Sequence, residues 1–226
     1  MKTKNNFTML LLTSVICLLP IILSISVYDV LPERIAIHWN DAGEPDNFAP
    51  KAVAAFGLPL LFFAINLYSK VHLYNDPKRI NNNHSQAVQM ISTWIPPLLS
   101  LVSVPLSLFI AMGKDIPISV IIPVFTGIVL ILCGNYLPKC RQNYTIGIKL
   151  PWTLHDIDNW NKTHRIAGYL WVLGGIILIV GTFLSIDSVT WDISLSVLVV
   201  VPLIIVPLLY SYLLYKKNKI NKNTAS

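Results

Sequence analysis

Charge is what this sequence has least of. Asp, Glu, Lys and Arg make up 12% of its 226 residues, against about 25% in an ordinary soluble domain. The deficit is concentrated in long uncharged runs, which excludes a soluble globular fold for most of the chain. Cysteine is scarcer still, with three in all. Cys17 and Cys133 fall in apolar runs and Cys140 in a polar loop, and there is no C-x-x-C. Neither a disulfide framework nor a thiolate metal site is expected. Also missing are a helical His pair, a calcium loop and a Gly-x-Ser-x-Gly turn, so the usual sequence marks of metal or serine chemistry do not occur.

What is present is oil, at 54% hydrophobic residues. Six apolar runs approach or exceed the roughly 20 residues that match a ~30 Å hydrocarbon core: residues 7–28, 53–69, 88–112, 116–137, 166–186 and 193–215. They predict an all-α integral membrane bundle of six transmembrane helices. The second run is short unless Lys70 and His72 reach the interface. The apolar run after Lys2 and Lys4 resembles a signal peptide, but it is too long and lacks a well-placed cleavage site, so it is expected to stay as the first span. Of the 17 Lys and Arg residues, only Arg34, Lys51 and Lys114 lie on one side, which places the N- and C-termini in the cytoplasm. The formal charge of +6 therefore belongs to cations beside the lipid headgroups. The lipid bilayer is the expected partner, not nucleic acid.

None of the six runs holds a Lys, Arg, Asp, Glu or His, which disfavours a proton-driven carrier; a carrier of small neutral solutes stays open. Asn66 and Asn135 are the strongest polar groups in the runs and read as interhelical glue. Pro20 should kink the first helix. Prolines in the third and fourth runs free carbonyls that neighbouring helices must satisfy.

Two polar segments remain. In the external loop, residues 29–51, residues 35–39 read as a short extended piece and Asn40 to Gly43 as a turn. His38, Asp41, Glu44 and Asp46 have no metal-ligand spacing, and a solvated loop with Trp39 in the interfacial aromatic belt is the plainer reading. The cytoplasmic loop, residues 138–165, is the larger. Residues 143–149 alternate polar and apolar and predict extended chain along the interface, closed by Pro151. Thr153 to Asp156 has capping-box spacing, predicting a helix that starts there and runs through Arg165 into the fifth span. On it Ile157, Trp160 and His164 share a face, and Trp152 and Trp160 hold the segment at the headgroup level. His155 beside Asp156 and Asp158, or His164 beside Asp158, offers a general base and its orienting group, but no nucleophile accompanies them. The reading is not an enzyme and needs no cofactor. Ala167, Gly174 and Gly181 repeat every seven residues, with Gly168, Gly175 and Thr182 one step behind, a stripe for close helix approach.

Gly134-Asn135, residues 146–154 (IGIKLPWTL), Trp160, Thr163-His164-Arg165 and Gly168 together resemble the signature of the SdpI family of bacterial immunity proteins. Leu31-Pro32, Ile35, His38-Trp39-Asn40, Gly43 and Pro45-Asp46 resemble the domain of unknown function often found at the N-terminal end of that family. The resemblance implies a multi-pass plasma-membrane protein that protects its cell from a secreted peptide toxin and relays toxin occupancy to a small cytoplasmic transcriptional repressor. An orphan membrane sensor stays open beside it. The toxin-facing residues would be His38, Trp39, Asn40, Gly43 and Asp46. The cytoplasmic signature would be Gly134, Asn135, Ile146, Gly147, Pro151, Trp152, Thr153, Trp160, His164 and Arg165. The expected division is an N-terminal membrane region, residues 1–112, and an SdpI-like region, residues 113–226.

Overall fold

Prolines and glycines decide where the helices break and how closely they approach. The computed structural model describes residues 2–40, 43–77, 86–184 and 189–224. Among the described residues, six helical stretches are long and apolar enough to cross a membrane: Phe7–Val30, Val53–Tyr74, Gln89–Ala111, Ile118–Lys139, Ile157–Leu184 and Val199–Ile220. They match the six expected runs, although the fifth stops at Leu184, short of residues 185–188, which lie outside the described residues. Several helices outrun the marked runs. The second continues through Lys70 and His72, and the fifth begins early enough to carry Asp158, Lys162, His164 and Arg165. By contacts the chain divides into two units, Met1–Asn75 with Met90–Ile118, and Asp76–Gln89 with Ser119–Ser226.

In the first unit, helix α1 (Lys2–Leu18) gives way at Pro20 to α2 (Pro20–Val27), the break expected where proline lacks a donor. Strands β1 (Arg34–Trp39) and β2 (Pro45–Pro50) form an antiparallel hairpin with bulges between Ala36 and Trp39. The second strand was not legible beforehand, because Pro-Asp-Asn-Phe-Ala-Pro has a weak strand composition. Nor is the hairpin a solvated loop. Ile35 is 1% exposed and packs with Leu31, Ala54, Ala55, Val104 and Leu108. Its base is tied by Lys51 Nζ to Glu33 at 2.8 Å, with the same ammonium 5.1 Å from the centre of the Tyr28 ring. The hydrogen bond to Glu33 holds the Lys51 ammonium above its usual range.

A wide turn over Val53–Gly57 leads into α3 (Leu58–Tyr74). Pro59 has no N–H to offer the Ala55 carbonyl four residues back. That carbonyl accepts the Ser24 hydroxyl instead, at 2.6 Å. Asn66 is fully buried and donates to Thr13 and Ser14, each at 3.2 Å, which is the interhelical glue expected of it. Helix α4 (Gln86–Ala111) sends the Ser100 hydroxyl to the Cys17 carbonyl at 2.7 Å.

The second unit contains α5 (Ile118–Tyr136), the short α6 (Pro151–His155), α7 (Ile157–Leu184) and α8 (Val189–Thr224). A side chain added at Gly134 would meet the Gly168 carbonyl at 2.8 Å, and one at Gly175 the Gly127 carbonyl at 2.5 Å. Both pairs are seven residues apart on antiparallel helices, so α5 and α7 touch backbone to backbone along two turns. Gly174 faces Leu203 and Val199 on α8. The two registers of the small-residue stripe therefore serve two different neighbours. Pro207 leaves the Leu203 carbonyl without its helical donor, and the Trp171 indole fills the place at 3.2 Å.

Candidate functional site

The loop of residues 138–165 is organised by side chains that capture backbone groups. Asn143, 2% exposed, accepts the N–H groups of Thr145 and Ile146 at 2.8 and 2.7 Å on its one side-chain oxygen. This bends the chain where an extended strip was expected: local Asn capture outcompetes a strand that has no partner. Gly147 follows with φ +123°, a conformation open to glycine. The Ile148 N–H then donates to His164 Nε2 at 3.0 Å. That nitrogen must be bare, so Nδ1 carries the hydrogen and donates to the Trp160 carbonyl at 2.8 Å. His164 is thus a neutral, fully buried structural ring, stacked on Trp160 with centroids 3.9 Å apart.

Leu150 is extended, as a residue before proline must be. Thr153 is not the N-cap predicted for it. It stands three positions into α6, where its hydroxyl accepts the Leu150 N–H at 2.9 Å and lies 2.7 Å from the Ile148 carbonyl. The long helix is capped instead by Asp156, whose Oδ1 accepts the N–H groups of Asp158 and Asn159 at 2.9 and 3.1 Å. The predicted helix is therefore broken once, at Asp156, before it runs through Arg165 into the fifth span.

Trp160 does not lie at the headgroups. It is fully buried, and its indole donates to the Cys140 carbonyl at 2.8 Å. Ile157, expected on the same face, is exposed. Trp152 is half-buried, donates to the Ser211 hydroxyl at 2.7 Å and packs on Tyr212 and Tyr215 of α8. Ser211 donates on to Asn159, which also takes the Thr163 hydroxyl. Sequence reading passed over Asn143, Asn159 and Ser211, since single polar residues outside a motif carry no periodic signal. Trp152→Phe keeps the ring stack and removes the donor, and should lower stability by about 1 kcal/mol, read as a small drop in the thermal midpoint of the detergent-solubilised protein.

Gly134 lies at the α5–α7 contact, Pro151 opens α6, and Ile146 is half-buried. Asn135 and Arg165 are exposed, and Asn135 accepts the Lys139 ammonium at 3.5 Å. Among the described residues, neither histidine of the loop is paired with a carboxylate. His155 Nδ1 lies 2.5 Å from the Pro151 carbonyl, Asp156 caps α7, and Asp158 pairs with Lys162 at 2.7 Å. The general-base pairs considered from sequence are not assembled.

In the hairpin, His38 Nδ1 lies 2.6 Å from Asp46 Oδ1. Asn40 accepts the Glu44 N–H at 2.9 Å, and its carbonyl accepts the Gly43 N–H at 2.9 Å. Trp39 is half-buried opposite Pro45. Asp41 lies outside the described residues. Among the described residues, no three His, Cys, Asp or Glu side chains are gathered to hold a metal ion.

Residues 139–211, which hold the whole loop core, match the SdpI/YfhL protein family. The chain carries an SdpI-family region. Residues 15–63, which hold the hairpin, match a domain of unknown function, DUF1648. Over 77% of its length the chain is 29% identical to the immunity protein SdpI of Bacillus subtilis (strain 168), of which it covers 82%. No solved structure matches it. With six helices among its described residues long and apolar enough to cross a membrane, the chain is a multi-pass cell-membrane protein.

Proposed function

We propose that this chain is a membrane immunity protein that protects the cell producing it from a secreted peptide toxin. The observation that carries the reading is the similarity to an immunity protein across most of both chains. The hairpin around His38, Trp39, Asn40, Gly43 and Asp46 is the toxin-facing element. The loop core around Gly147, Thr153, Trp160 and His164 is the cytoplasmic element that transmits the event or holds a small repressor. The positive-inside bias supports this orientation, with both termini cytoplasmic. The functional division falls near residue 113, between a receiving N-terminal region and the SdpI-like region.

The experiment is survival. The protein is expressed in a toxin-sensitive bacterium, and the secreted peptide toxin that kills that bacterium is added. Protection of cells that carry the protein in their membrane is the expected result. Unchanged killing by that peptide, with the protein present in the membrane, would remove the immunity reading and leave an orphan sensor.

A further inference from the structure

Besides α8, a residue 68 positions away in the sequence supports the loop core. Asp76 stands two residues beyond the end of α3 and outside both matched regions, residues 15–63 and 139–211. It is 3% exposed. Its Oδ2 accepts the Tyr144 N–H and the Thr145 hydroxyl, both at 2.8 Å. On the other side of the same dipeptide, Lys149 Nζ donates to the carbonyls of Tyr144 and Thr145 at 3.3 and 3.2 Å. Asn143 takes the next two N–H groups, and His164 takes that of Ile148.

The N–H groups of Tyr144, Thr145, Ile146 and Ile148 each have an assigned acceptor. Asn143, Lys149 and His164 come from the loop and from α7, whereas Asp76 is some 68 residues away in sequence. Both donors to Asp76 come from the first two residues of the bend that delivers Gly147 and Ile148 to His164.

We propose that Asp76 is a positioning residue of the cytoplasmic site. Its carboxylate holds Tyr144 and Thr145 in place, and through them sets the register in which Gly147 passes the Trp160–His164 stack. The inference rests on the loop core being the cytoplasmic functional element.

The test is limited trypsin digestion of the purified full chain in detergent, with cleavage sites read by mass spectrometry. Cleavage after Lys149 reports opening of the loop. Cleavage after Lys216 and Lys217, on the exposed end of α8, is the internal control. D76A should raise the Lys149-to-control ratio about tenfold, because local opening limits cleavage there. D76N, which keeps the shape and an accepting oxygen but loses the charge, should raise it less, and D76E should restore it at least in part.

An unchanged ratio in D76A overturns the proposal, whatever happens to protection. If D76A fails to accumulate, D76N decides: a rise of about threefold supports the clamp, and no rise overturns it. A loosened loop with full survival in the toxin assay would leave Asp76 as a positioning residue and sink the functional reading of the loop instead. A loosened loop with lost survival supports both.

Discussion

Gly147→Ala is expected to abolish protection while the protein still reaches the membrane. A Cβ at this position would stand 2.4 Å from His164 Nε2 and 2.9 Å from Trp160 Cη2, on a backbone with φ +123°. Forcing a side chain into such a backbone costs about 1–3 kcal/mol, and overfilling a packed site costs about as much again. Relief is not available locally. His164 is held at both ring nitrogens and Trp160 at its indole N–H, so neither ring can move without leaving a buried polar group unpaired. The loop must open, and the Ile148–His164 bond goes with it. Membrane insertion depends on the apolar helices and should be unaffected. The check is survival under toxin beside an immunoblot of the membrane fraction. Full protection with wild-type protein levels would show that the loop core is dispensable for immunity.

Gly168→Ala is expected to act one stage earlier, on assembly. Its Cβ would fall 2.5 Å from Pro138 Cγ and 2.7 Å from the Gly134 carbonyl. A backbone carbonyl inside α5 moves only if the helix moves, and the close contact between α5 and α7 is what replaces the hydrophobic drive that lipid removes. Gly174→Ala is the matched control on the same helix. There the nearest atoms, at 2.9 and 3.0 Å, are the branched ends of Leu203 and Val199, which can turn aside. The thermal midpoint in detergent should fall clearly for Gly168→Ala, by the equivalent of about 1–3 kcal/mol, and much less for Gly174→Ala. Equal falls would mean that the α5 contact is no tighter than the α8 contact.

The six spans were legible because a bilayer imposes one length scale on every helix that crosses it. The break at Pro20 was legible because the loss of an N–H is a property of that residue alone. The small-residue stripe on α7 was visible as a heptad, but its division between α5 and α8 was not, since Gly127 and Gly134 had to be matched to it across space.

The candidate site was legible in its residues and misread in its geometry. Trp160 and His164 have the composition of an interfacial belt, and only the fold shows that residues 140–150 wrap over them and keep them dry. Thr153 and Asp156 exchanged capping roles because Pro151 starts a helix of its own two residues earlier. Asn143 bends a stretch that alternates like a strand, which periodicity cannot foresee because the alternation is unchanged by it. Asp76 has no local signal at all. Its partners become neighbours only after folding.

Helix α7 has 28 residues and so a length of about 42 Å, against ~30 Å of hydrocarbon. Its first two turns hold Asn159, Trp160, Thr163 and His164, all at 0–1% exposure with no lipid counted. Protein alone therefore keeps that face of the helix dry. A bilayer that is thinner or thicker than usual can be met by tilting α7, or by letting those turns enter or leave the headgroup layer, at a fraction of a kcal/mol per Å of mismatch. None of the loop's hydrogen bonds need break for it, and the site tolerates changes in membrane thickness that come with lipid composition or growth temperature.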